Sequence, residues 1–495
     1  MKTKTATALV AGAVLALGLV NPTVAQGSPV TSPLVKQMYD GGWPDADELK
    51  SVHEQFLLQR AVQSYMMTLP TLNVIGLRDG SEAQFGAGYN VLPMWKDRMD
   101  SRALVPTPNA DVIYSMSYLD LKETGPLVVY APPKVIGMFT DFYQRTLTDV
   151  GAAGPDRARG GLYLLLPPDY EGVVPGGYFA FKSSTYNVFL FFRTVLTQGK
   201  DGPDTKQAVA IAEQTRIYPL GSNEGKRPKM DFPNGSGKRV NMMYPTDFTY
   251  WEKLKKFIDY EPVGAFPMEV RGMLASLGIV KGQPFKPRPA VRKALEDAVK
   301  LAPKMIYANR ITPGFFSRAP YYEDRQYTNA WSGGDANYNM PTFTDIDVRA
   351  QYFQYAYSSA PAMVVDMIGQ GSKYPNTMRD ADGELLDGAN TYKLRLPPNI
   401  PAKLYWAVTL YNAIDGTMPE TPQLLPSRNQ FDKVVTGDDG SVELWFAPEK
   451  PDGVDEKNWI QSIPGRAQLV AVRLYGTGAE FYDQTWKPDD VVKIK

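Results

Sequence analysis

The chain has 495 residues, 53 Lys and Arg against 53 Asp and Glu, a single histidine and no cysteine. That length allows two or three domains, each burying its own core, while the even charge gives no pull toward nucleic acid or an anionic membrane. Without cysteine there is no disulfide frame, no thiol nucleophile and no acylated lipoprotein terminus. With one histidine, His53, there is no His-rich zinc or copper centre, so the remaining chemistry is carboxylate acid/base work, Tyr, Lys or Arg participation, and hard cations held by oxygen.

In chain order, Lys2 and Lys4 precede an uncharged apolar stretch from Ala6 to Val20, and Thr23-Val24-Ala25 ends in a small residue. This pattern predicts a cleavable export signal over 1–25, hence a periplasmic or extracellular protein. Lys2 and Lys4 leave with it, which puts the mature chain at about −2. No later run approaches the ~20 apolar residues of a membrane span, so no integral anchor is expected.

After a polar leader, Pro44 to Met67 reads as a helix, with Asp45 and Asp47 at its N-terminal end and Pro70 marking a stop. Leu49, Val52, His53 and Phe56 share one face of it, which makes His53 a packed structural residue. The leader and helix fill 26–75. From 76 to 222 a β-rich domain is expected. Leu127 to Tyr130, Met138 to Tyr143, Leu162 to Leu166, Tyr178 to Lys182 and Val188 to Thr194 are β-branched or aromatic runs separated by Pro and Gly pairs.

The basic stretch Lys226 to Arg239 sits among Gly, Pro and Asn and reads as a solvated loop; its Gly-Lys pairs lack P-loop spacing. A helical lobe follows over 245–372. Its elements are Tyr250 to Tyr260, Met268 to Leu277, Ala290 to Asn309 and Asp345 to Gly369, the last kinked by Pro361. Strand character returns over 373–495 at Thr391 to Leu396, Leu404 to Tyr411, Val442 to Phe446 and Gln468 to Tyr475, with Asp-Gly pairs marking tight turns. The fold class expected is α+β and multidomain: two β-sandwich or jelly-roll-like modules with a helical lobe between them.

The motifs Arg60-Ala-Val-Gln63, Thr107-Pro-Asn-Ala-Asp111-Val-Ile-Tyr114, Asp149-Val-Gly151 and Gly160-Gly161-Leu-Tyr163-Leu-Leu-Leu-Pro167-Pro168 occur in the first half. Asp380-Ala-Asp382-Gly383, Leu396-Pro-Pro-Asn399, Asn458-Trp459, Arg473-Leu-Tyr475-Gly476 and Thr485-Trp486-Lys-Pro488 follow in the second. Together they resemble the paired domain-of-unknown-function families 1254 and 1214, whose members are often labelled cell envelope proteins. The resemblance implies β-sandwich modules flanking a helical part and carries over no catalytic residue. Ala110 departs from the family pattern, which bears on turn geometry alone.

Thr107 to Asp111 is the most pointed polar cluster. The bland account is an Asx turn; the functional one makes Asp111 an acid/base or cation ligand and Asn109 its orienting amide, with Tyr114 alongside. Asp141, Tyr143, Arg145 and Asp149 are expected on one face of a strand, either solvated or at a site. Asp380-Ala-Asp382-Gly383 fits a hairpin turn better than a calcium loop. Trp331, Tyr338, Trp406, Trp445, Trp459 and Trp486 suit either a core or a stacking surface.

Two functions are carried forward, both outside the cytoplasm. One is a binder of a glycan or small organic ligand in a cleft between the β modules, using Asn109, Tyr114, Trp331 and Trp459. The other is a hydrolase or lyase using Asp111, Asp149 and Tyr143, with no evident cofactor beyond a hard divalent cation. A structural subunit of a homo-oligomer is a third.

Overall fold

The computed structural model describes residues 43–312 and 320–494. The expected export signal, 1–25, lies outside the described residues. Residues 57–495 form one compact unit.

The first helix, α1 (Ala46–Phe85), starts where expected. Asp45 caps it, its carboxylate accepting the Glu48 N–H at 2.8 Å, as a residue at a helix N-cap does. His53, expected on a packed face, is exposed and stacks on Phe56. The helix does not stop near Pro70. It runs on to Phe85 because Leu69, Pro70, Leu72, Val74 and Ile75 are all buried, and that packing outweighs one missing backbone bond.

The N-terminal module holds the strands β1 (Val112–Asp120), β2 (Leu127–Ala131), β3 (Val135–Asp141), β4 (Thr146–Val150), β5 (Gly161–Leu166), β6 (Phe179–Lys182), β7 (Asn187–Val195) and β8 (Arg216–Pro219). They build two four-stranded sheets, ordered β1-β7-β3-β4 and β8-β2-β5-β6, antiparallel except for the β5–β6 pair. The C-terminal module repeats the scheme with β9 (Ser372–Lys373), β10 (Asn376–Thr377), β11 (Tyr392–Leu396), β12 (Ala402–Asn412), β13 (Ser427–Asn429), β14 (Val442–Ala447), β15 (Trp459–Gln461), β16 (Gln468–Thr477) and β17 (Val492–Lys493). One sheet centres on β16 and β12 with β13 beyond, β9 and β10 pairing the outer edge of β16; the other runs β15-β14-β11-β17.

Period-two alternation places the cores. On β7, Val188, Leu190 and Phe192 point into the N-terminal sandwich with Phe139, Val129 and Leu165, while Phe189 and Phe191 point the other way. On β16, Val470, Val472 and Leu474 fill the C-terminal sandwich with Leu394, Leu444 and Val408, while Leu469, Ala471 and Tyr475 face out of it. Each module thus has one sheet buried on both faces, which is why these strands read as unbroken apolar runs. Their outward residues join one large core with α1 and the helices of 249–364, and the site lies in this middle layer.

That helical part contains α2 (Thr249–Tyr260), α3 (Met268–Ser276), α4 (Pro289–Ile311), α5 (Ile346–Tyr355) and α6 (Pro361–Val364). The kinked helix expected from Asp345 to Gly369 is instead two helices separated by non-helical backbone at 356–360, with Ser358 at φ 55°. Pro361 starts the second rather than bending the first. Buried amides from other elements hold the break by satisfying its backbone groups. Asn73 of α1 donates to the carbonyls of Phe353 (2.9 Å) and Ala356 (3.0 Å), and Gln144 accepts the Ser358 N–H at 2.8 Å.

The strand expected through Asp141–Asp149 is likewise corrected. It is a β3–β4 hairpin whose turn contains Tyr143 and Gln144, the latter at positive φ, so 141, 143, 145 and 149 do not line one face.

Candidate functional site

Between the two inner sheets lies a cavity in which the centre of a water molecule has about 60 Å³ to move. That is several times what one ordered water needs. β7 and β1 contribute Arg193 and Tyr114, which stand opposite each other in register. β16 and β12 contribute Arg473 and Tyr411, and Tyr374 lies between β9 and β10. The broken helix supplies a roof of Tyr352, Tyr355, Tyr357 and Met363, and Trp331 closes one side. The break positions this roof: Ser359 accepts the Trp331 indole N–H at 2.8 Å and passes its own hydroxyl to the Ala336 carbonyl.

The two arginines are each 6% exposed. Nε of each is buried without a hydrogen-bond partner, and no carboxylate lies within salt-bridge distance of either among the described residues. Arg473 donates through Nη2 to the Thr107 carbonyl (3.2 Å) and the Tyr411 hydroxyl, and Arg193 sits 4.5 Å from the centroid of the Phe191 ring. A buried guanidinium is costly unless its charge is answered, and two of them facing one space among phenols give that space a positive potential.

Burial pushes the phenols of Tyr114, Tyr357 and Tyr374 up, keeping them neutral donors. Asp149 lies on the same sheet face, in register with Met138, which joins the middle-layer core; burial lifts its carboxyl to about 6 against the pull of the Ala362 N–H and of Arg193. Oδ2 takes that N–H at 3.0 Å while Oδ1 has no partner.

The polar cluster at 107–111 forms the junction between the modules. Thr107 adopts φ 37° and its N–H reaches the Gly416 carbonyl at 2.7 Å. Gly416 itself has φ 75°, and a Cβ there would collide with the Tyr355 carbonyl oxygen, so the position requires glycine. Asp111 is fully buried and saturated by Arg98 (2.6 Å), the Ser427 hydroxyl (2.7 Å) and the Asn429 amide (2.6 Å), which ties β1 to β13. Asn109 takes the Asp111 N–H on Oδ1 at 2.8 Å and donates through Nδ2 to Tyr405 (2.8 Å) and Tyr475 (2.7 Å).

The structure thus brings Tyr114 and Trp331 to the cavity wall, Asp149 to the same sheet face as Arg193, and Asn109 behind the wall. Asp111 lies at the module junction. Tyr143 opens on a separate pocket, with the guanidinium carbons of Arg349 and Arg145 at 5.0 and 5.2 Å from its ring. Trp459 is on β15 of the outer C-terminal sheet, its indole bound to the Ala447 carbonyl at 2.9 Å. Sequence reasoning did not single out Arg193, and it quoted Arg473 within a family motif without assigning it to a site. Their signal is the same in both strands, one arginine inside an apolar run: Phe191-Phe192-Arg193-Thr194-Val195 and Ala471-Val472-Arg473-Leu474-Tyr475. No three His, Asp or Glu side chains gather as a metal site among the described residues, and no described helix is long and apolar enough to cross a membrane.

Residues 89–219 match the family described as Protein of unknown function (DUF1254), and residues 371–479 match Protein of unknown function (DUF1214). No curated protein matches the chain. Among solved structures, the VPA0106 protein from Vibrio parahaemolyticus is similar with a TM-score of 0.52 at 17% identity, over 89% of this chain and 100% of that one, which shows a shared fold. An uncharacterized protein from Burkholderia cenocepacia has a TM-score of 0.37 at 12% identity, over 91% of this chain and 99% of that one.

Proposed function

We propose that this chain, which pairs a DUF1254 region with a DUF1214 region, is an exported binding protein for a small organic anion held between its two β modules. One observation carries the reading: Arg193 and Arg473 come from different modules, are buried in a shared cavity, and have no carboxylate partner within salt-bridge reach among the described residues. An anionic head group between the guanidiniums would satisfy both, and the aromatic walls suit a flat or apolar body. Of the ligands expected from the sequence, a small organic acid fits this charge better than a neutral glycan. Export is supported by Lys2, Lys4, the apolar Ala6–Val20 stretch and Ala25. N-terminal sequencing of the mature chain from the periplasm or medium should begin near Gln26; an intact Met1 there would refute it.

The test of binding is a thermal-shift panel of the mature protein at pH 7 with benzoate, small aliphatic carboxylates and phosphate, each beside a neutral isostere such as benzamide. At least one carboxylate should raise Tm where its amide does not. Equal responses to acid and amide, or none from a folded protein, would overturn the reading.

A further inference from the structure

The two arginines have no carboxylate within salt-bridge reach among the described residues, and the hydrogen bonds around Tyr475 bear on how their charge is answered without a ligand. Tyr475 follows Arg473 by two residues on β16, so both side chains leave the same face of the strand. Its ring stacks on Tyr405 at 4.3 Å, and its oxygen accepts from Asn109 Nδ2 at 2.7 Å and from the Tyr374 hydroxyl at 3.2 Å. The Asn109 amide cannot be turned round, because its Oδ1 is occupied by the Asp111 N–H, so the NH₂ group must face the two phenols. With Tyr374 donating as well, Tyr475 is ringed by donors, an arrangement that suits an oxygen without its own proton. Tyr374 also lines the cavity, and its oxygen is 2.7 Å from the Ser372 hydroxyl.

We infer that Tyr475 is a phenolate serving as internal counter-ion to Arg193 and Arg473, and that a weak organic acid entering the cavity delivers its proton through Tyr374 to Tyr475. The acid O–H breaks as the Tyr374 oxygen takes that proton, and Tyr374 passes its own to Tyr475. The carboxylate formed then replaces the phenolate as partner of the arginines. A neutral acid is also far cheaper to bring into a buried space than its anion. Burial alone would push the Tyr475 phenol up, yet Arg193 and Arg473, with bonds from Tyr374 and Tyr405, hold it below its ordinary range. The charged and titratable groups that act on it are Arg473, Tyr374 and Tyr405 from its own module and Arg193 and Tyr114 from the other, with Asp111 acting on the stacked Tyr405. Asp149 bears on it through Arg193 and titrates near 6, below the range of the test.

This inference rests on the anion-binding reading for its second half alone, and the experiment separates the two. Ultraviolet difference spectra of the full mature protein, wild type minus Tyr475→Phe, are recorded without ligand from pH 7 to 9. One phenolate equivalent is expected in the near-ultraviolet band of the wild type, and it should vanish in Arg193→Met, a variant that leaves the Tyr475 ring in place. A flat difference spectrum with both proteins folded overturns the phenolate whether or not anything binds. Benzoate is then added as the probe. It should remove the band, and its Kd should rise by about tenfold per pH unit in the wild type while staying flat in Tyr475→Phe. A band that survives saturating benzoate, or a pH-independent Kd in the wild type, overturns the proton delivery. If the band is present but benzoate and the other anions do not bind, the anion-binding reading has failed and with it the proton delivery, while the counter-ion role stands.

Discussion

Replacing Arg193 by Met removes the charge and Nε while keeping most of the volume against Phe191. In the absence of ligand the loss should stabilise the protein. Because Tyr475 takes up a proton once Arg193 is gone, the substitution replaces a buried ion pair by neutral groups, and such replacements commonly gain ~1–4 kcal/mol. For a unit as long as Leu57–Lys495, an unfolding entropy of ~2.1 cal/mol/K per residue sums to roughly 0.9 kcal/mol per degree near the midpoint. The gain should therefore appear as ~1–4 °C in Tm. An anion present at about 100 times its Kd should stabilise the wild type by ~2.7 kcal/mol, about 3 °C. Arg193→Met should not show that shift. Differential scanning calorimetry of both proteins, with and without the anion that ranks first in the panel, reads both effects at once. A variant that melts below wild type and still responds to the anion would refute the argument, because Arg193 would then be a structural clamp and not a receptor.

Two buried acids predict a falling stability with rising pH. Burial raises Asp149 from 3.8 to about 6 and Glu261 from 4.5 to about 7, so the folded state holds these protons more tightly than the unfolded chain. Their stabilising contribution is complete below the unfolded values and is lost as pH rises through about 6 and 7. Asp149→Asn should match wild type near pH 4 and exceed it at pH 8 by up to ~3 kcal/mol, at about 1.36 kcal/mol per unit; parallel Tm curves over that range would contradict it. Asp111→Ala should destabilise by ~3–5 kcal/mol, since it strands Arg98 and two polar side chains at the module junction. Urea unfolding measures this, and a loss below about 1 kcal/mol would show that the junction does not depend on Asp111.

Much of the architecture was legible because burial on both faces leaves a plain imprint. Val188 to Thr194 and Gln468 to Tyr475 are apolar at nearly every position and are the central strands of their sheets. Helices α2, α3 and α4 followed their spacing to within a few residues. Where local rules failed, a distant partner had decided. Pro70 could not end α1 against the packing around it, and the break before Pro361 is held by Asn73 and Gln144, which lie far back along the chain in the N-terminal half. The site was half legible. Tyr114 and Trp331 were named by their chemistry, but an arginine in an apolar strand reads as an isolated oddity until a second one, from the other module, is seen across the same cavity. Asp111, the most conspicuous acid in the sequence, drew attention as chemistry and turned out to hold the two modules together.

Asn109 has a consequence for how such a protein can change over time. Its single amide touches the backbone of one module and two phenols of the other. A chimaera that borrowed either half from a distant relative would keep both sandwiches, because each has its own interior. It would lose the alignment of the shared amide and with it the wall behind the arginines. Under the binding reading proposed above, a change of ligand preference should therefore require residues on both sides of the seam to change together.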